Sequence, residues 1–393
     1  MSLNDSPVVL HQGVYKKIAS VSDAVFMITG MTIGAGVLGI PYVVAQVGLG
    51  VGLLYILVLG AVMLFLNLMI GEIAVRTDGN LQLPGFAGKY LGRWAKDLLS
   101  LTIVLSSAGA LLAYVVGEGE ILSALFGGNP VMWSVVFWSV ASLVVWRGLQ
   151  SAKRVTKILS FAVIAIIVGL SLFLTPHVNL NYFFEFHAAS LFLPYGVILF
   201  ALHASPAIAE AHALLPGSQK HFRKALIIGT LIPIAVYILF AFAVVGVMGL
   251  NTTEVATIGL GSRFGQIILV IANVFAALAM TTGYIGLGIA LKQSLVWDHK
   301  IKPFIATLFV LALPITLFTL GVRSFVAILD TVGGLFIGIE AILMVLVYWK
   351  AKQKGDLDAS RYKFDFLWLL AVPVLLIFSG VTVVSIAKLF GWY

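Results

Sequence analysis

Cysteine is absent from the 393 residues, which excludes a disulfide framework, a thiolate metal site and a cysteine nucleophile. Charge is scarce as well, at 10% of residues, where a soluble protein carries about 25%. The chain holds no H-E-x-x-H, and no aspartate pair at the spacing of a prenyl-transferring membrane enzyme, so an intramembrane enzyme lacks its residues. No long polar stretch separates the apolar ones. Hydrophobic residues make up 61% of the chain, with a mean hydropathy of +1.09, and that composition belongs in a lipid bilayer.

A membrane-crossing helix needs about 20 mainly apolar residues. Eleven segments qualify, at roughly 22–48, 51–75, 98–124, 131–149, 156–175, 189–212, 225–249, 264–290, 302–320, 325–349 and 366–390. The expected architecture is all-α and integral to the membrane. Residues 1–20 form a cytoplasmic tail and 21–393 one transporter-like membrane domain. The first apolar segment is too long for a signal-peptide core, so no cleavage is expected.

If the chain starts in the cytoplasm and alternates sides, 21 of the 24 lysines and arginines fall on the inner side. Only Arg263, Arg323 and Lys388 fall outside. That asymmetry places the N-terminus in the cytoplasm and the C-terminus outside, in a cell (inner) membrane. The net charge of +8 therefore belongs to short inner loops and not to a nucleic-acid surface. In the second inner loop, Phe86, Tyr90, Leu91 and Trp94 share one helical face, and Lys89, Arg93 and Lys96 another. The pattern predicts a short helix on the membrane surface.

The first span contains "TIGAGVLGIPY", residues 32–42, with Gly34, Gly36, Gly39 and Pro41 at its middle. Glycine costs about 1 kcal/mol and proline about 3 in a helix interior. The sixth span, "LPYGVILFALHASPAIAEAH", places His203, Ser205 and Pro206 at its own middle. These segments open the first and second sets of five spans, about 22–175 and 189–349, and an odd number of spans makes the sets run in opposite directions. The eleventh span, about 366–390, is an addition. Paired interruptions in corresponding halves point to a transporter's binding site, because non-helical backbone at membrane depth must line a cavity or be buried in protein. Exposed N–H groups suit a carboxylate and exposed carbonyls an ammonium or a cation, a fit for a zwitterion. The first-span glycines would serve close helix packing equally well; the matching break in the sixth span favours the site.

At these residues the chain resembles the amino acid/polyamine/organocation transporter superfamily, on the branch of aromatic amino acid permeases and amino acid/auxin permeases. "GAGVLGIPY" is similar to that branch's first-span signature, and Pro194, Phe200, His203, Pro206 and Glu210 to its sixth-span pattern. "AYVVGEGEIL" and "FAALAMTTGYIGLGIAL" are similar to its third and eighth spans. The resemblance implies a leucine-transporter fold of five plus five inverted spans. It also implies secondary active import of an amino acid by cation symport with alternating access; an uncoupled facilitator or an exchanger is the alternative. The substrate carboxylate would meet backbone at Gly34, Ala35, Gly36 and Val37, and the amino group carbonyls near Ile33, Phe200 and Ala201. Tyr114 is either a substrate contact or a packing residue.

No cofactor is implied beyond a coupling ion. A sodium ion would sit among the carbonyls of Gly30, Ile33 and Leu278 and the hydroxyls of Thr281 and Thr282, though membrane threonines also bond their own helices. The other ion is a proton, carried by His203 with Glu210, seven residues apart and so near one helical face; His203 is otherwise a structural imidazole. No acidic or basic residue lies within a few positions of either break, which fits a neutral amino acid, and the resemblance leans to large or aromatic ones. Glu72 pairs with Arg76 in this reading, Glu118 and Glu120 approach the wet outer surface, Asp330 stands near Arg323, and Glu340 has no evident partner. The sequence carries no signal of oligomeric state.

Overall fold

The computed structural model describes residues 20–79, 81–147, 152–215, 218–297, 300–362 and 367–390, and among them every regular element is helical. The first half runs through α1 (Val21–Thr32), α2 (Gly36–Val47), α3 (Leu49–Arg76), α4 (Leu83–Leu91), α5 (Arg93–Phe126), α6 (Pro130–Arg147) and α7 (Ala152–Leu174). Short 3-10 turns between 175 and 190 lead to α8 (Pro194–Ala201), α9 (Ser205–Leu214), α10 (Gln219–Met248), α11 (Ala256–Phe264) and α12 (Gln266–Trp297). Then follow α13 (Pro303–Thr319), α14 (Phe325–Thr331), a π turn at Val332–Ile337, α15 (Gly338–Lys354) and α16 (Leu367–Leu389).

Among the described residues, eight helical segments are long and apolar enough to cross a membrane, and nine if α1 and α2 count as one bent span. Residues 161–177 and α13 are apolar but shorter. All eleven apolar segments fall on helices. Several boundaries have local causes. Ser20 starts α1 with a capping box, its hydroxyl accepting from the Asp23 N–H while the Asp23 carboxylate accepts from the Ser20 N–H. Gly92, at φ 93°, separates α4 from α5 in a conformation that favours glycine.

The two interrupted helices lie against each other in opposite senses, α2 on α8 and α1 on α9, while α10 backs α1, α2 and α3. At the far side, α14 and the π turn close on α8, and α16 covers the π turn and α15. Glycine makes the closest approach there: a Cβ on Gly333 would stand 1.8 Å from the Gly196 carbonyl oxygen.

The loop helix forms as α4, and part of its aromatic face packs on the protein. Phe86 and Leu83 are buried against the protein, Tyr90 hydrogen-bonds with Thr77, and Arg93 and Lys96 already belong to α5. Trp94 alone of that face is exposed. Packing of α4 on α5 and α15 outcompetes the surface arrangement that the spacing predicts.

Candidate functional site

The first break spans Ile33–Ala35, where α1 and α2 bend by 56°. Ile33 is extended (φ −84°, ψ 92°), and its N–H still reaches the Thr29 carbonyl. The second break spans Leu202–Ala204. Pro194 and Pro206 stand in the first turns of α8 and α9, where a missing N–H costs nothing. His203 keeps one bond of its own, N–H to the Phe200 carbonyl at 3.2 Å.

The two breaks meet. A Cβ on Gly36 would stand 2.5 Å from the Ala201 Cα and 3.1 Å from its nitrogen, so only glycine admits this backbone-to-backbone approach. The buried Tyr237 of α10 serves both breaks: its hydroxyl lies 2.8 Å from the Thr32 carbonyl and 3.0 Å from the Ala201 carbonyl, and its one proton serves either. Tyr114 of α5 approaches from the other side, its hydroxyl hydrogen-bonded to the backbone of Ala35. A Cβ on Gly34 would lie 3.2 Å from that hydroxyl, and one on Gly283 2.6 Å from it, so the phenol bridges α12 and the first break.

The candidate substrate residues Ile33, Gly34, Ala35, Gly36, Val37, Tyr114, Phe200, Ala201 and His203 thus gather around one junction. Ile33, Ala35, Val37 and Ala201 are buried there. Several of the polar backbone groups have protein partners: Ala35 has Tyr114, Ala201 has Tyr237, and the Phe200 carbonyl accepts from His203. Any carboxylate or ammonium received here shares or displaces these partners.

The residues of the candidate sodium site have separate surroundings. Thr281 donates to the Glu118 carboxylate at 2.7 Å, whereas Thr282 donates to the Leu278 and Ala279 carbonyls of its own helix at 2.9 and 3.0 Å. The Leu278 side chain is exposed, and α12 packs chiefly on α5, α11, α7 and α13. Gly30 lies in α1 and Ile33 at its end, in the first break. Among the described residues, no three His, Asp or Glu side chains stand together as a metal site.

The buried acids are arranged otherwise than the spacing predicts. Glu118 is not wet: it is 1% exposed and bound by Thr281, because α12 covers that face of α5. Asp330 pairs with Lys388 of α16 at 2.7 Å, which folds back over the π turn, instead of standing against Arg323, whose guanidinium donates to the Phe318 carbonyl. Glu72 does pair with Arg76, at 2.8 Å, and also accepts from Tyr348. His203 does not share a helical face with Glu210. The break interrupts the helix between Ala201 and Ser205, and the imidazole turns to Glu340, Nε2 to Oε1 2.8 Å. Neither Tyr237 nor Glu340 stood out as a site residue from sequence; one reads as an aromatic in an apolar span and the other as an isolated acid.

A family model described as the tryptophan/tyrosine permease family matches residues 17–387. Glutamine transporter 2 of Aliivibrio fischeri is 25% identical over 355 residues, spanning 86% of this chain and 91% of that protein. Tyrosine-specific transport system 2 of Haemophilus influenzae is 27% identical over 305 residues, spanning 68% of this chain and 71% of that one. Among solved structures, MhsT in complex with L-phenylalanine aligns with a TM-score of 0.68 at 14% identity, covering 94% of this chain and 100% of that chain. The Eremococcus coleocola manganese transporter, in complex with an aromatic bis-isothiourea substituted compound, aligns with a TM-score of 0.67 at 12% identity, covering 99% and 91%. These structural likenesses carry the fold, the leucine-transporter fold with its interrupted first and sixth spans. Matched over nearly its whole length, this integral membrane protein belongs to the tryptophan/tyrosine permease family and is a transporter, not an enzyme.

Proposed function

We propose that the protein imports neutral amino acids, large or aromatic ones among them, across the cell (inner) membrane by cation symport with alternating access. The observation that carries this reading is the junction of the two breaks, where Gly36 meets Ala201 and Tyr114 and Tyr237 supply hydroxyls on either side. Half-helix ends converging in a water-poor centre recognise a zwitterion without charged side chains. No lysine or arginine lies within a few positions of either break in the sequence to receive an acidic side chain, and His203 is already matched by Glu340. Relatives named for glutamine and tyrosine transport, and a neighbour holding L-phenylalanine, support a neutral side chain.

Movement follows from the same contacts. The two breaks join short half-helices to their partners through single stretches of non-helical backbone, so α1 or α9 turns without unfolding α2 or α8. The positive-inside arrangement of lysine and arginine supports a cytoplasmic N-terminus in this reading.

The test is a thermal-shift screen of the purified protein against the twenty amino acids. A ligand that binds only the folded state raises the melting temperature in proportion to RT ln(1 + [L]/Kd). Neutral amino acids, the large ones most strongly, are expected to raise it and aspartate and glutamate not to. A shift from acidic amino acids alone, or from none of the twenty, overturns the reading.

A further inference from the structure

We propose that His203 and Glu340 together hold the coupling proton of transport, the imidazole and carboxylate acting as one site at the second break. The inference rests on the proposed amino acid symport and adds the ion and the residues that carry it.

The geometry is specific. His203 sits in the non-helical stretch between α8 and α9, two residues after the Ala201 that touches Gly36. Its Nε2 lies 2.8 Å from Glu340 Oε1, and the two side chains are 17% and 3% exposed. Glu340 is the third residue of α15, directly after the π turn at Val332–Ile337 that presses on α8. A π segment inside a helix costs hydrogen-bond geometry and is found most often at functional sites. The pair therefore bridges the two irregular segments that flank the junction, across 137 positions of sequence.

Among the described residues, the charged groups on the neighbouring elements are paired elsewhere or lie turns away along their helices. On the helices against α9, Asp23 of α1 lies in its first turn, Glu72 of α3 is held by Arg76, and the basic residues of α10 (Lys220, Arg223 and Lys224) lie in its first turns, far along the helix from Tyr237. On α9 itself, Glu210 and His212 follow one to two turns after Ser205. Against α15, Lys388 of α16 is held by Asp330, and α4 contributes Lys89, held by Asp356. The π turn carries no charge; α5 brings Glu118, held by Thr281, with Glu120 beyond it and Arg93, Lys96 and Asp97 at its opposite end. On α15, Lys350, Lys352 and Lys354 lie three turns away.

Isolation decides the chemistry. With one proton between them, imidazolium and carboxylate make a net-neutral pair; without it, Glu340 is a buried anion with no counter-charge. An uncompensated buried charge is strongly unfavourable, so the junction closes more readily when protonated. The bound proton balances no charge on a zwitterionic substrate, so the loaded carrier moves with its buried centre neutral. A merely structural pair has little reason to persist here, since replacing a buried ion pair by apolar residues is often neutral or stabilising.

The test compares two modes of transport in proteoliposomes that hold the whole protein: exchange of labelled for unlabelled amino acid without any gradient, and accumulation driven by an imposed pH gradient in sodium-free buffer. Glu340→Gln is expected to go on exchanging, with a flat pH profile, and to lose gradient-driven accumulation; Glu340→Asp, which keeps the carboxylate, is expected to regain it in part. Accumulation by Glu340→Gln equal to wild type overturns the proposal, as does loss of exchange and accumulation together in a variant that inserts and melts like wild type. If Glu340→Gln does not fold, Glu340→Asp decides: a pH midpoint of accumulation shifted from wild type supports the site, and an unshifted one overturns it. Wild-type exchange that is insensitive to pH, with accumulation driven by a sodium gradient and not by a pH gradient, removes the proton while leaving amino acid transport standing. Absence of wild-type exchange removes the proposed function itself.

Discussion

A Cβ placed on Gly36 would stand 2.5 Å from the Cα of Ala201, so the first and second breaks touch through backbone with no side chain between them. Glycine at 36 is thus a packing requirement of the junction as well as a candidate substrate contact. Gly36→Ala forces α2 and α8 apart by an amount the buried surroundings resist, at about 1–3 kcal/mol for an overpacked core. Gly36→Val adds two further methyl groups and is expected to abolish uptake. Melting temperature and uptake measured side by side check this: Gly36→Ala lowers both, and a variant that transports and melts like wild type would show that the breaks do not meet this way.

Thr281 and Thr282 are adjacent in sequence but differ in what they bind, and that difference separates a sodium site from structural bonding. Thr281→Val removes the donor to a carboxylate that is 1% exposed, at about 1–3 kcal/mol for a buried group left unsatisfied. Thr282→Ala removes only bonds to its own helix carbonyls and is expected to cost much less. A sodium ion held by both hydroxyls predicts instead that each substitution raises, by similar factors, the sodium concentration for half-maximal uptake. Thermal melting and a sodium titration on each single variant decide between the two.

Lys89 and Asp356 tie α4 to the segment after α15, with Asp356 also accepting from the Asp78 N–H at 2.9 Å and donating its own N–H to the Arg76 carbonyl at 2.9 Å. The contact raises the Lys89 ammonium above its ordinary range and lowers the Asp356 carboxyl below its own, the hydrogen bond between them being the main cause for each. A lowered carboxyl stabilises above its unfolded value and is lost as pH falls through the folded one. A raised ammonium stabilises below its unfolded value and is lost as pH rises through the folded one. The tie therefore holds across neutral pH and opens at both acid and alkaline extremes. Limited proteolysis around residues 355–360 is expected to speed up as the pH drops through the carboxylate range, and Asp356→Asn to be cleaved fast already at neutral pH. Equal cleavage of Asp356→Asn and wild type would contradict this.

Orientation rests on charge counting alone, and single cysteines read it out in a chain that has none. Asn129 and Ser360 are both exposed. A membrane-impermeant maleimide added to intact cells is expected to label Asn129→Cys and to spare Ser360→Cys until the membrane is opened. The reverse pattern would invert the topology.

The main outline was legible in sequence because a membrane leaves few choices. Apolar length gives helices, and Gly34, Gly36, Pro194 and Pro206 mark the interruptions through backbone chemistry that acts locally. The Glu72–Arg76 pair was legible for the same reason, being one turn apart. Contacts between distant spans were not. Nothing near Glu340 in sequence announces His203, 137 positions away, and nothing near Glu118 announces Thr281, 163 positions away. Helical phase misled where the helix stops: His203 and Glu210 share a face only if the helix is continuous, and the break at Leu202–Ala204 ends that phase. The aromatic face of α4 misled in another way, since Phe86 found a protein surface to cover before it reached any lipid.

In the proposed function, the junction of the two breaks binds a neutral amino acid and exposes it to one side of the membrane and then the other. Counterflow tests it most directly. Purified protein in liposomes preloaded with an unlabelled neutral amino acid, diluted into buffer with a trace of the same labelled compound and no ion gradient, is expected to show transient accumulation of label that tyrosine, phenylalanine or glutamine outside suppresses. Empty liposomes are expected to show none. Label that never exceeds the level in empty liposomes, for every neutral amino acid tried and with the protein folded in the bilayer, would contradict the account.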